Sequence, residues 1–405
     1  MKSGRGDCVL VLASRRHSEP YISRILSWVK GVLGRARLVV EGQENLDISG
    51  CRSIVAVLAT GGTEQLALEL VERAAMAGTA VGLVGVPLAN STSSLAEVSP
   101  LVRGKATVEV LPGLNEAGAE TLADLARGVR AAGRLRGARL LVIGGVSPWI
   151  PGGPQGLLEK LGVRVDFMGV DEFIDVFRRV EGGWPEAERL LSRAVRAEYV
   201  EGEPRRSLRV ARAVFEAAGG YDGVSPGCIH FLEKTGANAC LAHFLQELGG
   251  VTVGCEGDLT GLLSLMLVAE AQGAPAWQAN IAGVGEDWIL LSHCAPPAWY
   301  AAKFSLGPHF ITGGSVTVRA ELWLRRATLL RLSPGGDRAL ILEAPVISGS
   351  PGWEMQCETQ LLLESRAGRS LVVDGLGNHQ AVAAGGMAGR LWHAVRALGM
   401  EPVIL

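Results

Sequence analysis

The chain predicts an α/β protein: two amino-terminal Rossmann-like parallel-sheet domains followed by a β-rich carboxy-terminal domain. Three observations predict it. Short apolar runs alternate with amphipathic helical stretches over roughly the first two-thirds of the chain, the pattern of βαβ units. Many of the 54 glycines stand just after apolar runs, where strands turn into loops. From about residue 300 the apolar period becomes two, as in antiparallel strands with one wet face.

In chain order, 8–13 reads as a buried strand, 21–33 as an amphipathic helix and 37–40 as a second strand. A third, 53–59, ends in Thr60-Gly61-Gly62-Thr63-Glu64 before a helix that stops at Gly78. The next strand, 80–86, ends in Pro87-Leu88-Ala89-Asn90-Ser91. Both polar clusters fall at strand carboxyl ends, where open α/β sheets bind ligands. Thr60, Gly61, Gly62, Thr63, Asn90 and Ser91 are therefore candidate substrate contacts, although ordinary turn and cap chemistry explains them equally well. Thr60-Gly61-Gly62-Thr63 lacks the lysine of a Walker loop.

A helical stretch, 115–137, links the first domain (1–136) to a second (137–299). The second opens on the strand 139–143 and a Pro- and Gly-rich loop. In that loop Trp149 is a candidate stacking residue. The third domain (300–405) contains the alternating stretches 315–324 and 354–364, then Gly377-Asn378-His379 and a helix over 388–398.

With 405 residues, 48% of them hydrophobic, the chain has ample material for several cores. A net charge of −2 gives no electrostatic case for nucleic acid. No apolar run approaches the length of a membrane helix, and no leader pattern is visible. Seven cysteines without a C-x-x-C pair indicate neither a zinc ribbon nor a disulfide framework, and suit a reducing cytoplasm.

The sharpest local pattern is Gly254-Cys255-Glu256-Gly257-Asp258, ahead of a strongly apolar helix. Asp258 is placed to cap that helix, and Glu256 lies just outside its positive end. A carboxylate held charged among apolar groups calls for a partner such as a metal ion. Glu256, Asn280 and His293 stand at successive junctions of apolar run and loop, so they can converge on one crevice. His379 lies in a glycine-flanked turn.

Taken in order, Thr60-Gly61-Gly62-Thr63-Glu64, Cys255-Glu256-Gly257-Asp258, Trp277-Gln278-Ala279-Asn280, Leu291-Ser292-His293-Cys294, His309-Phe310 and Gly377-Asn378-His379 resemble the L-fucose/L-arabinose isomerase superfamily. The resemblance is strongest to its fucose-isomerase-like branch. It implies aldose–ketose isomerisation of a sugar with a divalent ion, usually manganese. It also implies a homo-oligomer, commonly a trimer or hexamer, whose first domain covers a neighbour's site. By the same resemblance Glu256 and His379 match metal ligands, and Asn280 stands where the family carries an aspartate that binds metal and moves protons. Asparagine cannot take a proton.

Enediol chemistry needs a base, stabilisation of the enediolate oxygens and an acid. Glu256 is expected to supply ligation and part of the proton transfer. Asp258, His293 and Glu358 are candidates for the work of the missing carboxylate, though Glu358 reads more simply as part of a strand face. Two other functions are compatible with the chain. One is a cofactor-independent racemase or isomerase using paired cysteines; the other is a non-catalytic sugar-binding descendant, favoured by Asn280.

Overall fold

The computed structural model describes residues 6–42, 46–180, 183–198 and 203–405. Residues 1–5, part of the stretch read for a leader, lie outside that set. The chain divides into two compact units: Met1–Arg136 with Gly389–Pro402, and Gly137–Ala388 with Val403–Leu405. The architecture is α/β with parallel sheets and a β-rich carboxy-terminal region, as the sequence pattern predicts.

The first unit is built on five parallel strands: β1 (Gly6–Ala13), β2 (Arg37–Val40), β3 (Cys51–Leu58), β4 (Ala80–Gly85) and β5 (Thr107–Val110). Their order is β2-β1-β3-β4-β5. β3 and β4 are buried almost throughout, which is why they read as unbroken apolar runs. Helix Glu116–Leu135 packs so closely on β4 that a Cβ on Gly82 would meet Leu125 and Val129 at 2.8 Å. Within this unit His393, from helix Ala388–Ala397, lies 3.0 Å from Thr107 Oγ1 and 3.3 Å from Glu109. A disulfide joins Cys8 to Cys51, correcting the expectation of unpaired cysteines. Its partners lie on neighbouring strands, far apart in sequence, so spacing alone carried no signal of it.

The second unit starts with a four-stranded parallel sheet of β6 (Arg139–Ile143), β7 (Arg164–Met168), β8 (Gly223–Pro226) and β9 (Thr252–Val253), in the order β7-β6-β8-β9. Helix Leu259–Gln272 follows and is buried nearly all round. Then come β10 (Trp277–Val284), β11 (Trp288–His293) and an antiparallel ribbon of β12 (Ala301–Pro308) and β13 (Val316–Leu322). The last strands of interest are β14 (Arg326–Leu332), β15 (Arg338–Ser348), β16 (Thr359–Glu364) and β17 (His379–Ala384).

Six of these strands pair antiparallel in a ring, β14-β17-β10-β11-β16-β15, and β15 returns to pair with β14. Closure leaves no free edges among them. The ring also moves the sheet division. β10 and β11 belong with the β-rich part, so that part begins at Trp277, before the residue 300 expected from the change of period. β11 is buried on both faces, so it shows no alternation. At the other end, 389–402 returns to the first unit, which no periodicity announced. The alternating stretch 354–364 forms a strand only from Thr359. No helix among the described residues is long and apolar enough to cross a membrane.

Candidate functional site

In the second unit β6 lies between β7 and β8, so the loops that follow β6 and β8 diverge and leave a crevice at the carboxyl ends of the strands. Glu256 is clamped there by its backbone. Its N–H donates to Pro226 O (2.9 Å), and its carbonyl accepts from Ser147 N–H (2.9 Å). A Cβ on Gly257 would come within 2.6 Å of Gly145 O, so only glycine permits this approach. Glu256 itself has φ 63°, a left-handed conformation that costs a non-glycine residue on the order of 1 kcal/mol or more. The neighbouring loops hold it in place.

From Glu256 a chain of polar contacts runs inward. Trp149 Nε1–H donates to Glu256 Oε2 at 2.6 Å. His379 Nε2 lies 3.4 Å from the same oxygen. On its other side, His379 Nδ1 lies 2.8 Å from Asp258 Oδ2. Arg331 Nη1–H donates to that oxygen at 2.8 Å. Asp258 also caps helix Leu259–Gln272, accepting from Gly261 N–H at 2.9 Å. Burial pushes the Asp258 carboxyl upward, but His379 and Arg331 outweigh it and hold the group well below the usual carboxylate range. Desolvating such an ion pair is expensive. The capped helix offsets that cost with fully buried Leu262, Leu263 and Leu267, each worth about 1.5–3 kcal/mol.

The site opens on a cavity of about 870 Å³, lined among others by Trp149, Pro154, Phe167, Asp258, Arg331 and His379. Asn280 and His379 are direct partners across β10 and β17, so their side chains share a face. Asn280 Oδ1 accepts from Asn378 Nδ2–H at 3.0 Å, and Asn378 Oδ1 accepts from Ile281 N–H. His293 ends β11 fully buried, its ring 6.0 Å from His379 and 5.9 Å from His243. Burial, then the neighbouring His243, His379 and His309, hold it neutral. Its Nδ1 has no partner among the described residues.

This donor set suits a hard divalent cation. His379 Nδ1–H given to Asp258 leaves Nε2 as a lone pair, the usual arrangement of a ligating histidine with a carboxylate behind it. That lone pair and a Glu256 oxygen face each other at a separation expected of two ligands on one ion.

Of the residues singled out from the sequence, Trp149, Glu256, Asp258, Asn280, His293 and His379 lie in this unit. Asp258 is engaged as helix cap, ion-pair partner of Arg331 and neighbour of His379 Nδ1. Glu358 lies outside the polar chain. Burial raises its carboxyl, and Oε1 accepts from Phe310 N–H. Thr60, Gly61, Gly62, Thr63, Asn90 and Ser91 belong to the first unit. There Thr60 Oγ1 accepts from Ser14 N–H, Thr63 Oγ1 donates to Thr60 O, and Ser91 Oγ accepts from Val86 N–H and donates to Leu58 O. Those buried hydroxyls are used in building the turns. Asn90 is exposed, with φ 60°.

Sequence reasoning missed Arg331. Its signal was present: a cation inside the apolar strand Leu329-Leu330-Arg331-Leu332 must find a partner when buried. It also missed a group able to hold a metal ion. Cys240 Sγ, Cys294 Sγ and a ring nitrogen of His309 lie within 4.8 Å of one another. A hydrogen bond with Cys294 leads in drawing the Cys240 thiol down to about 5. Burial works against charge on His309, yet Cys240 and Glu358 carry it up to about 9.

The chain matches no protein-family model and no curated protein.

Proposed function

We propose that the chain is a divalent-cation-dependent aldose–ketose isomerase, with Mn²⁺ the best-suited ion. One observation carries the reading: Glu256 Oε2 and His379 Nε2 face each other at 3.4 Å beside the cavity, with His379 oriented from behind by the ionised Asp258. Glu256 and His379 would hold the ion, with the amide oxygen of Asn280 as the third donor. A bound divalent ion would polarise the sugar carbonyl and offset charge on its neighbouring oxygens.

The residues of the chain divide the remaining work. Asp258 keeps the His379 proton on Nδ1, and Arg331 keeps Asp258 charged. Glu256 is the partly exposed carboxylate of the site, its side chain 22% accessible. It takes the proton from the carbon bearing the hydroxyl next to the carbonyl and returns it to the former carbonyl carbon. The hydroxyl proton moves to the adjacent oxygen, so the sugar keeps its formula. Trp149 donates to Glu256 and offers an indole face to the apolar side of a sugar ring.

A second reading, sugar binding without turnover, rests on Asn280. It stands where the resemblance expects an acid, and its Oδ1 is engaged by Asn378.

The deciding experiment is incubation of the full chain with Mn²⁺ and a broad panel of aldoses in deuterated solvent. The isomerase reading requires ketose formation, lost in Glu256→Gln, with deuterium entering the reacting carbon to the extent that the proton held on Glu256 exchanges with solvent. No conversion of any sugar overturns it, and tight sugar binding without conversion establishes the second reading.

A further inference from the structure

We propose that Cys240, Cys294 and His309 form a zinc site separate from the Glu256–His379 pair. The inference goes beyond the isomerase reading and stands without it.

The three ligands come from separate segments. Cys240 begins helix Cys240–Phe244, Cys294 follows β11, and His309 follows β12. Folding brings them together in the interior of one unit. Cys294 Sγ lies 3.1 Å from His309 Nε2, and the three ligand atoms fit within 4.8 Å. Ligands at zinc–sulfur and zinc–nitrogen bond lengths on a tetrahedron stand about 3.5–3.8 Å apart. The Cys294–His309 pair would open by about 0.4 Å to meet that spacing, and the other two separations, at no more than 4.8 Å, lie within about 1 Å of it.

The donor chemistry selects the metal. Two thiolates and an imidazole favour zinc over the hard ions that carboxylates and amide oxygens prefer. In the structure His309 Nδ1 accepts from the Thr312 N–H at 3.4 Å and lies 3.3 Å from the Thr312 hydroxyl. Ligation through Nε2 puts the ring proton on Nδ1, where the hydroxyl is the one neighbour of the two that can accept it. With the hydroxyl accepting the Nδ1 proton, Nε2 is left as the ligand. Each thiol gives its proton to solvent on binding, and no oxidation state changes. Cys357, within hydrogen-bonding reach of Cys294, is a thiol beside the trio and outside it. The bound ion would tie the helix start, the end of β11 and the end of β12 to one point.

The test is cobalt substitution in the full-length chain. Wild-type protein is expected to retain one Zn²⁺ per chain through dialysis. With Co²⁺ it should show intense tetrahedral visible bands and a near-ultraviolet thiolate-to-cobalt charge-transfer band. Cys240→Ala and Cys294→Ala should each lose about half of the charge-transfer intensity, as expected for one of two thiolates. His309→Gln should shift the visible bands. Absence of the charge-transfer band in wild type, or its persistence in the double cysteine variant, overturns the proposal. If the variants do not fold, ¹¹³Cd NMR of wild-type protein decides. A resonance in the thiolate range supports the site, and one in the oxygen-only range overturns it.

Discussion

The Nδ1 atom of His379 lies 2.8 Å from Oδ2 of Asp258, with both side chains almost wholly shielded from solvent. This contact sets the direction of the candidate site. Asp258 is charged because Arg331 sits against it, and a charged carboxylate takes the Nδ1–H as a donor. Nε2 is thereby turned toward Glu256. Arg331, Asp258, His379 and Glu256 thus stand in series, and the last two face each other at 3.4 Å.

Asp258→Asn breaks that series at its centre. The amide no longer enforces the tautomer, so Mn²⁺ affinity measured by calorimetry should fall by about 10–100-fold. Stability should fall too, by about 3–5 kcal/mol, because Arg331 is left as an unpaired buried cation. The two effects separate in the double variant Asp258→Asn with Arg331→Met. Removing the stranded charge should restore most of the stability and none of the affinity. Unchanged Mn²⁺ affinity in Asp258→Asn would refute the positioning role.

How much of this was legible in the residues depends on range. Asp258 as helix cap followed from its place before an apolar run, and the structure has that cap. The parallel strands of the first unit followed from their apolar runs. The ring of six strands did not, because β11 is too buried to alternate and because closure pairs β14 with β15 and β17 together. Long-range partners were the hidden part. Arg331 is 73 residues from Asp258, and Cys294 and His309 join Cys240 from other segments. A sequence shows which side chains need partners, such as a cation in an apolar strand, but not which partner the fold delivers.

Glu256 offers a test of stored backbone strain. Its φ of 63° suits glycine, so Glu256→Gly should be more stable than Glu256→Ala by about 1 kcal/mol. Both variants remove the carboxylate and should lose cation binding alike. Denaturant titration of the pair isolates the backbone contribution, since neither side chain makes the Trp149 contact. Equal stability of the two would mean that the left-handed conformation carries no cost here.

The Cys8–Cys51 bridge spans 43 residues of the first unit. A loop of that length removes enough freedom from the unfolded chain to stabilise the unit by about 2–4 kcal/mol. Reductant should lower its unfolding midpoint by a corresponding amount. Cys8→Ser with Cys51→Ser should reproduce the reduced protein and no longer respond to reductant. Peptide mapping under non-reducing conditions should recover the two cysteines in one linked species, and separate thiol peptides would refute the bridge.

His243 predicts the acid limb of the stability profile. Burial, and then the neighbouring His379, lower its imidazole from an ordinary 6.5 to about 4. Its Nε2 has no partner among the described residues, and a backbone contact with Val253, which favours the charged form, is outweighed by burial and His379. The sign follows from which state binds the proton. Between about pH 6.5 and pH 4 the unfolded chain takes up a proton that the folded chain refuses, so the folded state loses ground as pH falls. Its contribution is whole above about pH 6.5 and lost by about pH 4, amounting to roughly 3 kcal/mol across the window. His293, lowered for the same reason, acts in the same direction. Asp258 does not contribute in this window, because a depressed carboxylate costs stability only below its unfolded value near 4. His243→Phe fills the same space without a titrating group. Urea midpoints compared near pH 7 and near pH 5 should therefore fall less in the variant than in wild type. An equal fall in both would show that His243 accepts its proton in the folded state.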